Sequence, residues 1–466
     1  MATLLEKIKS GKSDMFRRVL IKRRNLSSGL FESSWQDISK DVKSFGKFKL
    51  DVDSSRLYKF TFSNAKIVMS NSDGLYNPHD SESSLWYNYL NQQRTLVKIE
   101  AGYIHRILNA NGSYINTELP SQSLYDVSNW DSGAMWDATT SSIVFTGVIN
   151  GDISTSDKNE VTFNLKPLVS IFQDYPAKNL TGWTSTGMTA SQFLAMVRDQ
   201  TDGSGNFVFR PFFGDTTSNF YISTTTNVYA NLNTSTAEDV IDSTVWEIIE
   251  KLSESENYIP YVTRDGSFRF TSRDANTTVS AFEFHGAGSY NSEYGHTIKA
   301  ISSYGRKISK YYSRVQIKFK DENTSTSYVF AESDFTVGPA SNPWILGHRT
   351  FQLQNLFMAT STVAQPIATA IFNDYSSLKN EIEFTTTFVP HLDILDRIRI
   401  YYDPSEITPQ SLWDLYNWAD SSTITADLLW DGSVGKSMQI NGQEFKFLSI
   451  ELDVDNFETK FQAREV

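Results

Sequence analysis

A phrase of eight residues occurs twice in this chain, with almost three hundred positions between the copies. Residues 123–130 read Ser-Leu-Tyr-Asp-Val-Ser-Asn-Trp, and residues 411–418 read Ser-Leu-Trp-Asp-Leu-Tyr-Asn-Trp. Each copy is followed by a second Trp-Asp pair, Trp136-Asp137 in the first case and Trp430-Asp431 in the second. A long internal repeat constrains the fold more strongly than any single motif. The repeat predicts that one β domain has been duplicated.

The sequence around each copy supports this interpretation. Each phrase follows a strand-like run that begins at an arginine, Arg94 or Arg397, and each precedes a strand-turn-strand stretch. The alternative is that two surface loops share an aromatic and polar composition by chance. A duplicated domain without catalytic motifs favours a role in assembly.

Length and composition set the broad class. A chain of 466 residues is expected to form two to four domains. Its many aromatic residues, separated by Ser, Thr and Asn, are typical of short half-buried strands with polar turns. Without cysteine, neither disulfides nor thiolate metal sites can form. No apolar run has transmembrane length and no secretory signal is evident, so synthesis and assembly in a cytoplasm are expected.

Charge is distributed unevenly along the chain. Residues 1–25 carry a net charge of +6, whereas the whole chain carries −12. An acidic body argues against general nucleic-acid binding. The basic segment could be an arm that docks on an acidic neighbour, a transit-type signal, or a solvated end. Glu6 and Asp14 weigh against a transit signal.

Hydrophobic patterns divide the chain into four parts. Residues 1–44 are predicted to be a basic N-terminal segment, and residues 45–178 a first β-barrel. Residues 179–288 are predicted to form an α+β domain, with helices over 190–198 and 237–254 and a hairpin at Asp265-Gly266. Residues 289–466 are predicted to be a second barrel with a flanking helix over 362–378, an alternating strand over 314–320 and a turn at Asn441-Gly442.

No catalytic constellation is present, and no catalytic, cofactor or metal site is expected. Asp393 and Asp396 could act as paired carboxylates in glycoside hydrolysis, but a turn with a local ion pair explains them as well. Asp199 and Asp202 could bind calcium, although the alternating oxygen ligands of a calcium loop are missing.

Two aromatic patterns also have alternative interpretations. Four tryptophans could stack on sugars, or they could anchor long loops or lie buried at a subunit contact. They are Trp130, Trp136, Trp418 and Trp430. Bases alternate with aromatics from Tyr304 to Arg314, as in single-strand binders. A strand with one polar face explains that alternation adequately.

Several phrases together resemble the tail hub, or baseplate hub, proteins of long-tailed bacteriophages. They are Phe62-Ser-Asn-Ala-Lys-Ile-Val-Met-Ser-Asn-Ser-Asp-Gly-Leu-Tyr-Asn-Pro, Arg94-Thr-Leu-Val-Lys-Ile-Glu-Ala-Gly-Tyr, Phe145-Thr-Gly-Val-Ile, Val245-Trp-Glu-Ile-Ile-Glu-Lys-Leu with the Arg264-Asp-Gly-Ser-Phe-Arg-Phe hairpin, and Leu392-Asp-Ile-Leu-Asp-Arg-Ile-Arg-Ile. The order of these parts along residues 45–466 is more specific than any one of them. The basic segment over residues 1–44 lies outside the family pattern.

The resemblance implies a mainly β fold with two similar tail-tube-type barrels and a smaller α+β domain between them. It also implies a structural virion protein without catalysis. A homotrimeric ring would cap the sixfold tail tube and contact the tube or distal tail protein, the tape measure protein, and tip or fibre proteins. Specific nucleic-acid binding and stable membrane insertion are not expected. The alternative is a glycan-binding or glycan-cleaving tail component that uses the Trp-Asp loops.

Overall fold

The structure of the protein is a computed structural model that describes most of the chain. The described residues are 14–24, 30–52, 60–77, 86, 95–104, 106–108, 114–116, 140–150, 154–157, 159–214, 216–272, 280–286, 297–306, 310–320, 326–332, 347–355, 357–358, 360–402 and 440–466. Both copies of the repeated phrase, with their Trp-Asp pairs, lie outside these residues.

Strands dominate the chain up to residue 167. They are β1 (Asp14–Lys22), β2 (Gln36–Asp37), β3 (Val42–Ser44), β4 (Lys47–Val52), β5 (Phe60–Phe62), β6 (Ala65–Ser70), β7 (Leu96–Ile104), β8 (Arg106–Leu108), β9 (Tyr114–Asn116), β10 (Thr140–Ile149), β11 (Ser154–Asp157) and β12 (Glu160–Pro167).

Helices and short strands alternate from residue 169 to residue 272. They are α1 (Val169–Gln173), β13 (Met188–Thr189), α2 (Ala190–Arg198), α3 (Arg210–Phe213), β14 (Phe220–Ile222), β15 (Val228–Tyr229), α4 (Glu238–Ile241), α5 (Val245–Glu256), β16 (Tyr258–Val262) and β17 (Phe268–Ser272).

Strands dominate again in the last part of the chain. The elements are β18 (Ser280–His285), β19 (Ile298–Arg306), β20 (Arg314–Lys320), β21 (Thr326–Glu332), β22 (Thr350–Gln354), α6 (Ser361–Tyr375), β23 (Asn380–Thr387), β24 (Arg397–Tyr402), β25 (Ile440–Asp453) and β26 (Glu458–Glu465).

Among the described residues are two eight-stranded sheets, and six core strands of each follow the same order. The first sheet runs β2-β1-β7-β10-β12-β6-β3 with β11 beside β12, and the second runs β18-β24-β25-β26-β23-β19 with β4 and β5 added beside β25. When six core strands of each sheet are counted in chain order, both sheets read 1-4-5-6-3-2. One pair differs in direction, because β1 is antiparallel to β7 whereas β18 is parallel to β24.

The pairing of residues also agrees between the two sheets, as the strand order does. Leu165 pairs with Ile149 and Ala65 in the first sheet, and Ala463 pairs with Phe447 and Ile382 in the second. On the same register, Phe163 and Phe461 occupy one position, and both are buried. The predicted mainly β class and the predicted duplication are therefore confirmed.

Two irregularities also recur in both sheets. The ladder between the fourth and fifth strands skips Val144 in the first sheet and Gly442 in the second. A turn predicted at Asn441-Gly442 is therefore wrong: both residues lie in β25, and the bulge there has Gly442 at φ 67°. The ladder between the second and third strands skips Lys43 and Lys299.

The two skipped lysines make equivalent ion pairs. Lys43 lies 2.7 Å from Glu160, and Lys299 lies 2.9 Å from Glu458. Glu160 and Glu458 occupy the same register position on β12 and β26, since each lies five residues before the matched Leu165 and Ala463. Exposed pairs of this kind add little stability, so their recurrence indicates common architecture.

The predicted boundary at residue 45 does not separate the sheets. β1, inside the predicted basic segment, pairs with β7 along its whole length. β4, inside the predicted first barrel, pairs with β25 of the second sheet. β18 precedes residue 289 but pairs with β24. Alternation of side chains identifies a strand without naming its partner, which is why these assignments failed.

A middle unit of residues 168–272 lies between the two sheets in sequence and has its own apolar core. The predicted helix over 190–198 is confirmed, and the predicted helix over 237–254 is two helices, α4 and α5. Thr189 and Thr244 each form a capping box with the residue three positions later, which fixes where α2 and α5 begin. The hairpin predicted at Asp265-Gly266 joins β16 to β17.

An inserted unit of residues 310–375 interrupts the second sheet between β19 and β23. Its sheet, ordered β21-β20-β22, packs one face on α6 around a separate core. The strand predicted over 314–320 and the helix predicted over 362–378 are thus present, but they form this unit and do not flank a barrel. Asn355 donates its amide to the Lys251 carbonyl at 2.8 Å, which attaches the unit to α5.

Candidate functional site: the joint between the two sheets

The hairpin of β4 and β5, here called the crossing hairpin, joins the two sheets. It belongs to the first half of the sequence, yet β4 pairs with residues 449–453 of β25. Its Phe48 and Phe62 rings pack 5.1 and 5.2 Å from the ring of Phe145 on β10 of the first sheet. One hairpin therefore extends the second sheet and covers the first, and the two sheets share a single core.

Gly46 allows the chain to cross from one sheet to the other. Its φ is +75°, a conformation that side chains other than glycine rarely adopt. A Cβ at this position would lie 2.4 Å from the Lys66 carbonyl oxygen. The turn between β3 and β4 therefore requires glycine for both conformational and steric reasons.

Asp455 holds this turn against the second sheet. Its carboxylate accepts hydrogen bonds from the Phe45 and Gly46 N–H groups at 2.9 and 3.0 Å, and from the Ser44 hydroxyl. Arg17 of β1 adds an ion pair at 3.9 Å. Hydrogen bonds to a charged acceptor are stronger than neutral ones, so a single acid in the β25–β26 turn fixes the point at which the chain crosses.

Tyr103 makes a second connection between the sheets. Its hydroxyl donates to the Phe388 carbonyl at 2.7 Å, and its ring meets Phe457 edge-on at 5.0 Å. Burial raises the pKa of the Tyr103 phenol, which therefore remains a donor at any physiological pH.

Arg264 ties the middle unit to both sheets. Its carbonyl accepts from the Thr146 hydroxyl of the first sheet at 2.7 Å, and its guanidinium donates to the Pro390 carbonyl beside the second sheet. The residue is only 6% exposed. Its Nε and Nη2 make no hydrogen bond to the described residues. Burial lowers the pKa of Arg264, while nearby Asp393 and Asp396 act in the opposite direction.

Asp393 and Asp396 lie in this joint. The Asp396 carboxylate accepts from the Asp393 N–H at 2.7 Å, and the Asp396 N–H donates to the Asp393 carbonyl at 3.0 Å. Burial raises the pKa of Asp396. Burial and the Arg264 charge lower the pKa of neighbouring His391 to about 4. The two aspartates thus shape a turn next to a buried arginine. The predicted turn is confirmed, whereas the predicted local ion pair is not, because Arg397 lies 4.0 Å from Glu444.

The proposed calcium residues lie in the middle unit, away from the joint. Asp199 pairs with Arg198 and Arg210, each at 2.8 Å. The Asp202 carboxylate accepts from the Ser204 and Asn206 N–H groups. In the part of the chain that the structure describes, no group of three or more acidic or histidine side chains could hold a metal ion.

Basic residues near the N-terminus bind to their own chain. Arg18 lies 2.9 Å from Glu100, and Arg23 lies 2.9 Å from Glu32. Arg24 lies over the ring of Phe31, and Lys22 over that of Trp35. Arg18 and Arg23 therefore have acidic partners within the same chain, whereas Lys7, Lys9 and Lys12 lie outside the described residues.

The aromatic and basic stretch before β20 has structural partners. Tyr311 is fully buried, and Lys310 lies 2.7 Å from the buried Glu381. Arg314 stacks over Phe330 at 4.2 Å, with Glu332 at 3.6 Å. This stretch anchors the inserted unit to the second sheet. The single strand with one polar face that was expected here is wrong, because residues 310–313 lie outside any strand and Arg314 begins β20.

Sequence reasoning missed Gly46, Tyr103, Arg264 and Asp455. Each acts through a partner distant in sequence. Tyr103 and Arg264 lie within phrases that carry the hub resemblance, but those phrases do not identify the partner. The Asp453-Val-Asp-Asn456 cluster did carry a turn signal, although that signal names no partner. None of the helices in the described residues is long and apolar enough to span a membrane.

No protein-family model and no curated protein matches this sequence. Among solved structures, the tail protein from Neisseria meningitidis MC58 is 10% identical, covers 96% of each chain and has a TM-score of 0.49. The 43 kDa tail protein of prophage MuSo2 from Shewanella oneidensis is 12% identical, covers 96% of this chain and 97% of its own, and has a TM-score of 0.44. A prophage tail protein from Listeria monocytogenes EGD-e is 9% identical, covers 96% and 94%, and has a TM-score of 0.42. Similarities this low decide neither fold nor function by themselves.

Proposed function

We propose that this chain is the tail hub protein of a long-tailed bacteriophage, and that three copies form a ring capping the tail tube. The observation that carries this proposal is the pair of equivalent sheets, which agree in strand order, in register and in two bulges. One chain therefore supplies two copies of one building block. A threefold ring of such chains presents six blocks, which is the symmetry that the hub resemblance implies for a tail tube.

The joint suits a protein that must keep its two sheets in a fixed arrangement. Asp455, Tyr103 and Arg264 hold the sheets and the middle unit through buried or half-buried hydrogen bonds, and the crossing hairpin adds a shared apolar core. The contact within the chain is heterologous, because different surfaces of two similar sheets meet. Heterologous contacts generate rings when the rotation closes.

Within the virion, we place one face of the ring against the tail-tube or distal tail protein. The tape measure and the tip or fibre proteins would attach elsewhere on the ring, and DNA would pass through its centre without specific binding. The chain would assemble in the host cytoplasm.

Symmetry is the direct test of this proposal. Light-scattering mass and electron-microscopy class averages of the purified chain, with and without the cognate tube protein, should show a trimer with pseudo-sixfold appearance. A chain that stays monomeric under both conditions would exclude the hub assignment.

We also propose that the protein has no catalytic activity, because Asp393 and Asp396 form a turn against Arg264. Incubation with peptidoglycan and capsular polysaccharides should release no sugar above background. Release that disappears in both Asp393→Asn and Asp396→Asn variants, while folding is retained, would favour the glycan-cleaving alternative.

A further inference from the structure

β11 occupies the position that the end of β25 takes in the second sheet. In the second sheet, Leu452 of β25 pairs with Thr459 of β26. In the first sheet, Thr155 of β11 pairs with Val161 of β12. Val161 and Thr459 share one register position, each two residues before the matched Phe163 and Phe461. Thr155 is therefore the counterpart of Leu452, and Ser154 that of Glu451.

The outer edge of this position is used in one sheet only. β4 pairs with the end of β25, with Phe48 opposite Leu452 and Lys49 opposite Glu451. Among the described residues, β11 pairs with β12 alone, so its other edge has no strand partner. An unpaired edge is a template for another strand, and the same position already accepts one in the second sheet.

We propose that β11 accepts an antiparallel strand from a second copy of this chain, which repeats the pairing of β4 with β25 between subunits. This inference rests on the proposed ring and identifies the strand pairing that would join neighbouring subunits. The occupant follows from the equivalence of the sheets. The donor strand β4 comes from the connection between the second and third core strands of the first sheet, β3 and β6. The donor for β11 should therefore come from the equivalent connection in the second sheet, between β19 and β23.

That connection is residues 307–379, which include the inserted unit. Within the described residues, β21 and β22 are the outer strands of its sheet, and each is paired on one side only. β19, which leads into the connection, contains no buried residue and forms the edge of the second sheet. The donor side therefore also has strand edges that lack a described partner.

Engineered cysteines test the contact cleanly, because the natural chain contains none. The control pair, Lys49→Cys with Glu451→Cys, should form a disulfide within one chain without increasing its mass in denaturing gels. A chain carrying Ser154→Cys would be mixed with chains that carry single cysteines along residues 307–379, including Ser327→Cys and Gln352→Cys. Covalent dimers at one or a few neighbouring positions are expected.

Backbone variants provide a second measurement. Thr155→Pro removes an N–H from β11 and should weaken ring assembly at least tenfold, whereas Thr155→Val should assemble normally. Hydrogen exchange in residues 154–157 should slow on assembly. A ring in which no scanned cysteine crosslinks to position 154 and these amides stay unprotected would overturn the contact but not the hub. Absence of any ring would instead overturn the proposed function.

Discussion

The Tyr103 hydroxyl donates to the Phe388 carbonyl at 2.7 Å across 285 residues of sequence. Because both groups are buried, Tyr103→Phe leaves the carbonyl without this partner and should lower the free energy of unfolding by about 1–3 kcal/mol. Urea unfolding measures the change. Tyr221→Phe is the matched control, since Tyr221 is 42% exposed, and should have no measurable effect. Equal stability of the two variants would show that the bond between the sheets contributes nothing.

Asp455→Asn should loosen the point at which the chain crosses between sheets. The neutral amide accepts hydrogen bonds from Phe45 and Gly46 more weakly and loses the ion pair with Arg17, so a loss of about 2–3 kcal/mol is expected. Asp51→Asn removes only a half-exposed pair with Lys49 and should cost less than about 1 kcal/mol. Thermal unfolding of both variants compares them. Similar losses would contradict the role of Asp455.

Gly46→Ala should destabilise the protein by more than a backbone effect alone. The added Cβ would meet the Lys66 carbonyl, so the cost should exceed the roughly 1 kcal/mol expected for a left-handed alanine. Gly74→Ala is the control, because Gly74 has nearly the same φ and an added Cβ there would meet no atom within 4 Å. Chemical denaturation distinguishes the two costs, and equal costs would exclude the steric explanation.

His391 should make the joint sensitive to acid. Its folded pKa of about 4 lies below the ordinary 6.5, so the unfolded chain binds the proton more readily. The lowered pKa of His391 therefore contributes to the free energy of unfolding above pH 6.5. This contribution, on the order of 3 kcal/mol, is lost as the pH falls towards 4. Unfolding free energies of wild type and His391→Gln from pH 7 to 4 measure this. The wild type should show the steeper loss; parallel curves would contradict the assignment. Asp396, whose raised pKa acts in the opposite direction, is present in both proteins.

Much of the architecture could be predicted from the sequence, because the repeated phrase and the strand alternation are local signals. The helix over 190–198 followed from the apolar face of Phe193, Leu194 and Val197, and the hairpin at Asp265-Gly266 followed from its turn residues. The partners of β1 and β4 did not, because alternation in a strand is the same whichever sheet receives it. The separate core of the inserted unit was missed for the same reason.

The joint itself could not be predicted. Asp455 is one acid among many, and its importance arises from the N–H groups of Phe45 and Gly46, more than four hundred positions away. Asp393 and Asp396 were noticed because of their spacing. Arg264 directly precedes the predicted Asp265-Gly266 turn, yet nothing in the sequence indicates that it is buried beside these aspartates. Local patterns predict strands and helices, whereas a joint depends on which distant strands meet.

The crossing hairpin has a consequence for synthesis. β4 leaves the ribosome early, but its partner in β25 lies about four hundred residues later, which is a delay on the order of 20–80 seconds at bacterial translation rates. During that time the apolar side chains of Phe48 and Leu50 lack their final environment. The first half of the chain therefore cannot complete its core until the last strands are made, and a product truncated before β25 would leave β4 without its partner in the second sheet.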